Sequence, residues 1–280
     1  MEAIAGLNDL IERALAEDVG HGDVTTAATV TPGQRGRARI TVKQDRMIFC
    51  GGPVLESTFR LTGAEPKIVS LAAEGKELGR GACAAEVDGL LEGLLVGERT
   101  ALNFLQLMCG IASVTAEYVR VVAGTRARII DTRKTHPGLR AIEKYAVRAG
   151  GGFNHRFALD SGVLIKENHI AAAGSVREAV TRASARAPHS LRVEIECETL
   201  EQVQEALAAG ANVILLDNMT NDQMKRARAI APPPVLLEVS GNVTLATVRA
   251  IAETGVDLIS VGALTHSAPA ADISMRVEPL

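Results

Sequence analysis

In the second half of the chain, short apolar runs recur and most of them end on a polar residue. RARIID, GVLIK, LRVEIEC, NVILLDN, VLLEVSG and DLISVG alternate with helical patterns such as SVREAVTRASARA, TLEQVQEALAAGA and NVTLATVRAIAETG. Six short strands separated by helices predict βαβ units and a parallel sheet. A flat doubly wound sheet and a closed barrel both satisfy that alternation. The polar positions favour the barrel. Asp131 with Lys134, Lys166, Glu196, Asp217, Ser240 and Gly262 all fall at C-terminal strand ends, the rim on which (β/α) barrels carry their chemistry. Glu196, Asp217 and Glu238 stand 21 residues apart, a quasi-repeat of βα units, not a solenoid.

The first hundred residues follow other periods. Leu7, Leu10, Ile11, Ala14 and Leu15 repeat at helical spacing and predict an amphipathic helix that stops near Gly20. Glu17 to Thr26, EDVGHGDVTT, needs only the turn chemistry of Gly and Asp. Ala38, Ile40 and Val42 alternate with Arg39, Thr41 and Lys43, the period of a half-buried strand. Pro53 to Leu61 reads as a helix closed at Gly63, and Lys67 to Leu71 and Ala82 to Val87 as strands. These elements make a small N-terminal α/β sandwich domain. Gly97 to Val119 is a long helical pattern that bridges to the barrel, with Arg99 in its first turn, where a cation opposes the helix dipole.

Composition narrows the function classes. With 47% hydrophobic residues the chain can bury a proper core, and a net charge of −3 gives no general attraction to nucleic acid or an anionic membrane. No Trp, two Tyr and five Phe leave little for stacking on single-stranded nucleic acid. The four cysteines (Cys50, Cys83, Cys109, Cys197) form no CxxC pair and read as reduced thiols of a cytoplasmic protein. The N-terminal stretch lacks the features of a signal peptide, and no apolar run reaches membrane-span length.

Charge changes the picture locally. Between Asp131 and His169 lie seven Lys and Arg against four acids, together with three of the six histidines. Pro137 opens a helical pattern there that closes at the triple glycine Gly150 to Gly152. Cations placed just after apolar runs read as strand ends facing one pocket. Arginine forks suit planar carboxylates and phosphates, whereas lysine acts as a point charge. Glu196 and Asp217 follow apolar Ile195 and Leu216, and an acid in a barrel interior is costly unless paired or metal-bound. Glu194 and Glu238 point the same way by strand period, with salt bridges to the cations as the alternative. EVSGNV and SVGALTH each put a glycine where a helix is expected to begin, so backbone N–H groups could take a phosphate.

DTRKTHPGLRAIEKYAVRAGGGFNHR followed by LIKENHI resembles the signature of quinolinate phosphoribosyltransferases, and EDVGHGDVTT and ERTALN extend the resemblance over nearly the whole chain. The resemblance implies a partly open barrel, a sandwich domain over 1–107 rejoined by the tail 268–280, and a catalytic barrel over 108–267. It implies that Arg99 of a neighbouring subunit, Arg133, His155, Arg156 and Lys166 surround the dicarboxylate quinolinate, with Lys134 between it and the phosphoribosyl group. Glu196 and Asp217 would hold Mg²⁺ or the ribose hydroxyls of phosphoribosyl pyrophosphate. Ser240, Gly241 and Gly262 would take the 5′-phosphate, with His266 close by. His136 and His169 fit helix capping or packing equally well. The implied protein is a homodimer that shares its active site across the interface, or a hexamer, with no organic cofactor. Asn242 stands where the family usually has a second glycine, and asparagine tolerates left-handed angles. Three other readings compete: a related transferase acting on another acid, as in molybdenum-associated proteins with KTHPG and GGG-x-x-HR elements; a lyase with Lys134 or Lys166 as Schiff base; and a non-catalytic nucleotide-binding module.

Overall fold

The structure is a computed structural model and describes residues 4–280. In chain order it runs α1 (Leu7–Val19), α2 (Val24–Thr29), β1 (Arg35–Val42), β2 (Met47–Ile48), α3 (Gly52–Leu61), β3 (Lys67–Leu71), β4 (Glu77–Leu78), β5 (Cys83–Leu90) and α4 (Leu91–Val121). It continues with β6 (Arg128–Ile130), α5 (Arg140–Ala149), β7 (Val163–Ile165), α6 (Glu167–Ala173), α7 (Val176–Arg186), β8 (Val193–Cys197) and α8 (Leu200–Ala208). The remainder is β9 (Val213–Asp217), α9 (Asn221–Ile230), β10 (Leu236–Ser240), α10 (Val248–Ala252), β11 (Leu258–Ser260), α11 (Ala263–His266) and β12 (Ile273–Pro279). The chain divides into two compact units, one of Met1–Ala116, Thr135–Gly151 and Leu264–Leu280, the other of Glu117–Lys134 and Gly152–Ala263. Among the described residues no helix is long and apolar enough to cross a membrane.

The first unit is built on an antiparallel sheet ordered β12-β1-β5-β3, with a two-stranded β2-β4 ribbon. On β1, Ala38, Ile40 and Val42 are buried. The residues between them point outward, where Arg37 and Arg39 stand opposite Asp88 and Glu86 in register and bond them at 2.6 and 2.7 Å. Cys109 Sγ accepts the Cys50 N–H and donates to the Cys50 carbonyl, each at 3.2 Å. Burial pushes the Cys109 thiol up to about 12, so it stays unreactive, and all four cysteines are free.

Three elements depart from the sequence expectation. The segment after Gly22 is not a bare turn but the helix α2, nucleated because Asp23 Oδ1 accepts the N–H of Thr25 and of Thr26 at 3.0 Å. Helix α4 starts at Leu91, six residues before Gly97. Its glycines are tolerated because the neighbours come too close for a side chain: a Cβ on Gly93 would lie 2.5 Å from the Ala64 nitrogen. Arg99 therefore sits well inside the helix, and the first-turn dipole argument does not apply to it. Helix α5 begins at Arg140, three residues after Pro137, and ends at Gly150, where a Cβ would meet the Ala112 carbonyl at 2.4 Å.

The second unit is a six-stranded, wholly parallel sheet ordered β6-β11-β10-β9-β8-β7, a partly open barrel in which β6 and β7 are the edges. The βα turns carry their own start signals. Ser175, Thr199 and Thr220 each accept a backbone N–H three residues on, capping α7, α8 and α9. Strand alternation then sorts the side chains. Ile195, Cys197, Ile214, Leu216, Leu237, Val239 and Ile259 are buried on one face, while residues 194, 196, 215, 217, 238, 240 and 260 share the other.

Candidate functional site

That second face opens into a cavity of about 570 Å³ at the C-terminal ends of the strands, a size suited to a small-molecule ligand. Its lining includes Arg133, Lys134, His155, Arg156, Lys166, Glu196, Asp217, Ser240 and Gly241. Thr132, Asn218 and Ser260 also line it, and none of these was expected from the sequence; each adjoins or shares the pleat of an expected residue, which was the available signal. Gly262 follows β11 but does not line the cavity. Arg99 and His266 belong to the first unit, where both are exposed. Arg99 makes no hydrogen bond or ion pair among the described residues, and His266 Nδ1 lies 2.6 Å from Ser267 Oγ.

Asp131, at the end of β6, works as a staple. It is fully buried, and its carboxylate accepts the His155 N–H at 2.8 Å and the Asn154 amide at 2.6 Å. This fixes the loop that presents Arg156. The Arg156 guanidinium donates to the Gly162 carbonyl at 2.9 Å, but its Nε and that of Arg133 are buried without a hydrogen-bond partner. Burial, followed by the neighbouring Arg133 charge, pulls Arg156 below its ordinary range. Two crowded guanidinium groups with spare N–H donors make a receptor for a small anion with carboxylate geometry, since an unmet buried donor costs about 1–3 kcal/mol until a ligand meets it. On the same rim, Thr132 Oγ1 accepts the Lys134 N–H at 3.0 Å and holds that exposed lysine in a tight turn.

The acids sit beside a lysine of their own. Lys166 Nζ bonds Glu196 Oε2 at 2.6 Å. Burial, then the Glu196 charge, raises the Asp217 carboxyl, and Asn218 donates to it at 2.8 Å. Two neighbouring carboxyls, one of them pushed toward protonation, suit a divalent cation that would relieve their repulsion. Among the described residues, the three ligand-type atoms that lie within 4.8 Å of one another belong instead to His155, Glu194 and Glu238. The two less specific histidines serve as local locks: His169 Nδ1 accepts the Lys166 N–H at 3.0 Å, and His136 bonds Glu143, a carboxyl that burial raises, at 2.5 Å.

The loop after β10 corrects the sequence reading. Gly241 and Asn242 take φ of 94° and 50°, so asparagine does adopt the left-handed conformation there. No helix begins at Gly241; α10 starts at Val248 and spans five residues, and α11, directly after Gly262, spans four. Dipoles that short add little, so anion binding here would rest on the loop N–H groups themselves. A Cβ on Gly241 would come 2.7 Å from Asn218 Oδ1. Gly241→Ala is therefore expected to cost about 1–3 kcal/mol through strain and displacement of Asn218, read as a lower thermal midpoint; a wild-type midpoint would show that the loop relaxes freely.

Comparison with known proteins bears on the whole chain. Residues 23–109 match the family model described as quinolinate phosphoribosyl transferase, N-terminal domain, and residues 111–276 the C-terminal domain of the same description. The chain is 43% identical over 271 residues to a probable nicotinate-nucleotide pyrophosphorylase (carboxylating) of Bacillus subtilis, covering 97% of this chain and 93% of that one. It is 43% identical over 274 residues to a nicotinate-nucleotide pyrophosphorylase (carboxylating) of Mycobacterium leprae, covering 95% of each. The crystal structure of NadC from Streptococcus pyogenes superposes with a TM-score of 0.95 at 39% identity, over 100% of this chain and 99% of that one.

Proposed function

The chain belongs to the quinolinate phosphoribosyl transferase family, and from that premise we propose the course of its reaction and the residues that carry it. The enzyme is a pentosyltransferase of NAD biosynthesis that converts quinolinate and phosphoribosyl pyrophosphate to nicotinate mononucleotide, pyrophosphate and CO₂. The observation that best supports the dicarboxylate substrate is the pair of unpartnered guanidinium Nε groups, on Arg133 and Arg156, lining one cavity with the Glu196 and Asp217 acids.

Arg133 and Arg156 grip the two carboxylates and orient the pyridine nitrogen, with His155 at the floor. Lys166 leaves Glu196 to join them when substrate enters. The nitrogen attacks the anomeric carbon; the N–C bond forms as the bond to pyrophosphate breaks. Lys134 lies between the two substrates and offsets charge on both. No protein nucleophile is required, because fixed charge and in-line placement supply on the order of several kcal/mol. The quaternised nitrogen then stabilises the electron pair left on the adjacent carbon as CO₂ departs, and that carbon takes a proton. Ser240 and Gly241, with Gly262 and His266, take the phosphates. Glu196 and Asp217 would hold Mg²⁺, which when bound neutralises charge on the leaving pyrophosphate. Arg99 completes the site of a partner chain in a homodimer. The free thiols, three of the four buried, accord with a reducing, cytoplasmic setting.

Incubation with quinolinate, phosphoribosyl pyrophosphate and Mg²⁺ is expected to yield nicotinate mononucleotide and labelled CO₂ in equal amounts, and neither product when nicotinate replaces quinolinate. Turnover of nicotinate would overturn the substrate assignment.

A further inference from the structure

A (β/α) barrel ordinarily fills the end opposite its site with packed apolar side chains. In the second unit that end is open: a cavity of about 430 Å³ lies at the N-terminal ends of the strands, and all of its lining belongs to this unit. The sequence accounts for the gap. Val213, Leu236 and Leu258 begin β9, β10 and β11, but β6 begins with Arg128, and Arg192 comes just ahead of β8. Both arginines are exposed at the cavity mouth, where a guanidinium reaches solvent instead of packing.

The acid just ahead of β11 is already committed: Asp257 bonds Arg126 at 2.5 Å and Arg228 at 2.7 Å. Among the described residues the guanidinium groups of Arg128 and Arg192 have no hydrogen bond or ion pair, and the Ser190 hydroxyl at the same mouth has none either. Arg128 lies instead over the Phe153 ring, 4.9 Å from its centroid. That ring is 47% exposed, yet its backbone is fixed. The Phe153 N–H donates to the Ile129 carbonyl at 2.9 Å, and the Phe153 carbonyl accepts the Asp131 N–H at 3.1 Å. A cation stacked on a rigid aromatic makes a flat platform with free N–H donors around it. The inner end of the cavity differs. Glu194 and Glu238 line it, so it offers carboxyl oxygens to a donor and nothing to a second anionic group.

We propose that this mouth is a second binding site, for a planar aromatic anion that carries N–H donors. The ring lies against the Arg128–Phe153 platform, the carboxylate or phosphate on Arg192 and Ser190, and the N–H edge toward the acids. The volume suits a small ligand of that kind. Occupancy reaches the catalytic cavity, because the two share His155, Arg156 and Glu238. Arg156 is tied by one nitrogen to the Gly162 carbonyl, so an anion in the mouth draws on the guanidinium that grips the dicarboxylate, and each ligand weakens the other. That consequence rests on the reaction proposed above; binding at the mouth does not.

Calorimetry on the full chain tests the site without turnover, with adenosine 5′-monophosphate as a nucleotide probe and 4-aminobenzoate as an aryl carboxylate probe. At least one is expected to bind once per chain, and Arg128→Ala combined with Arg192→Ala to weaken it roughly tenfold or more. Both residues are exposed and outside any ion pair, so the double variant should stay close to the wild-type thermal midpoint and to its turnover without probe. Binding of a single probe supports the site and assigns its source, nucleotide or aryl acid. No binding of either into the millimolar range, or undiminished binding by the double variant, would overturn the proposal. Inorganic phosphate binding as tightly as the probes would overturn the aromatic class. In turnover the probe that binds should raise KM for quinolinate in the wild type and leave the KM of the double variant unmoved. Inhibition that persists in the double variant would place the probe in the catalytic cavity and sink the second site; binding with no change in wild-type KM would sink the coupling.

Discussion

Arg99→Ala is expected to abolish turnover while the protein keeps its fold and thermal midpoint. Arg99 is exposed on α4 and has no hydrogen bond or ion pair among the described residues, so removing it breaks no internal polar interaction there. Its value on this reading lies in a partner's site, where a guanidinium closing over a carboxylate is worth roughly 2–5 kcal/mol, or a 30- to 5,000-fold loss on truncation. The distinctive test is complementation with Lys166→Ala. In a symmetric dimer that shares residues across its interface, a mixed pair rebuilds one intact site and leaves the other doubly defective. Random mixing should then restore about a quarter of the wild-type sites. No rescue in confirmed mixed dimers would place Arg99 in its own chain's site or outside the chemistry.

Arg156→Lys, which conserves charge, is expected to lower kcat/KM for quinolinate by on the order of a hundredfold, with most of the loss in KM. The guanidinium bridges the Gly162 carbonyl and the cavity, and its Nε has no protein partner. A lysine can keep one of those contacts but not the planar fork. Arg156→Met should lose still more activity, yet its midpoint should match or exceed the wild type's, because burial already disfavours the charge. A large drop in stability would make Arg156 a structural residue; an unchanged KM would take it out of the substrate site.

Much of this was legible in the sequence because strands have a period of two and barrels work at one rim. The apolar runs gave all six strands of the second unit, and the polar residues that end them, Lys166, Glu196, Asp217 and Ser240, meet in one cavity. What escaped was decided by contacts distant in sequence. Gly93 and Gly97 look like helix breakers until the approach of Ala64 and Phe59 explains them. Glu194 and Glu238 read as companions of Glu196 and Asp217, with salt bridges to the cations as the alternative, whereas the fold brings them together with His155. Asp131 read as a rim residue, and only the return of the chain at Asn154 and His155 reveals a staple.

Strand β12 has a consequence for biogenesis. It pairs with β1 along seven residues, from Gly36 opposite Pro279 to Val42 opposite Ile273. Until residues 273–279 have left the ribosome, β1 is a bare sheet edge with unpaired N–H and C=O groups, open to pairing with other nascent chains. The first unit to be translated is then the last to close. Protection of nascent chains by holdase chaperones should matter most in the interval before that strand arrives, and a shortened β12 should betray itself as aggregation during synthesis before any catalytic defect is measurable.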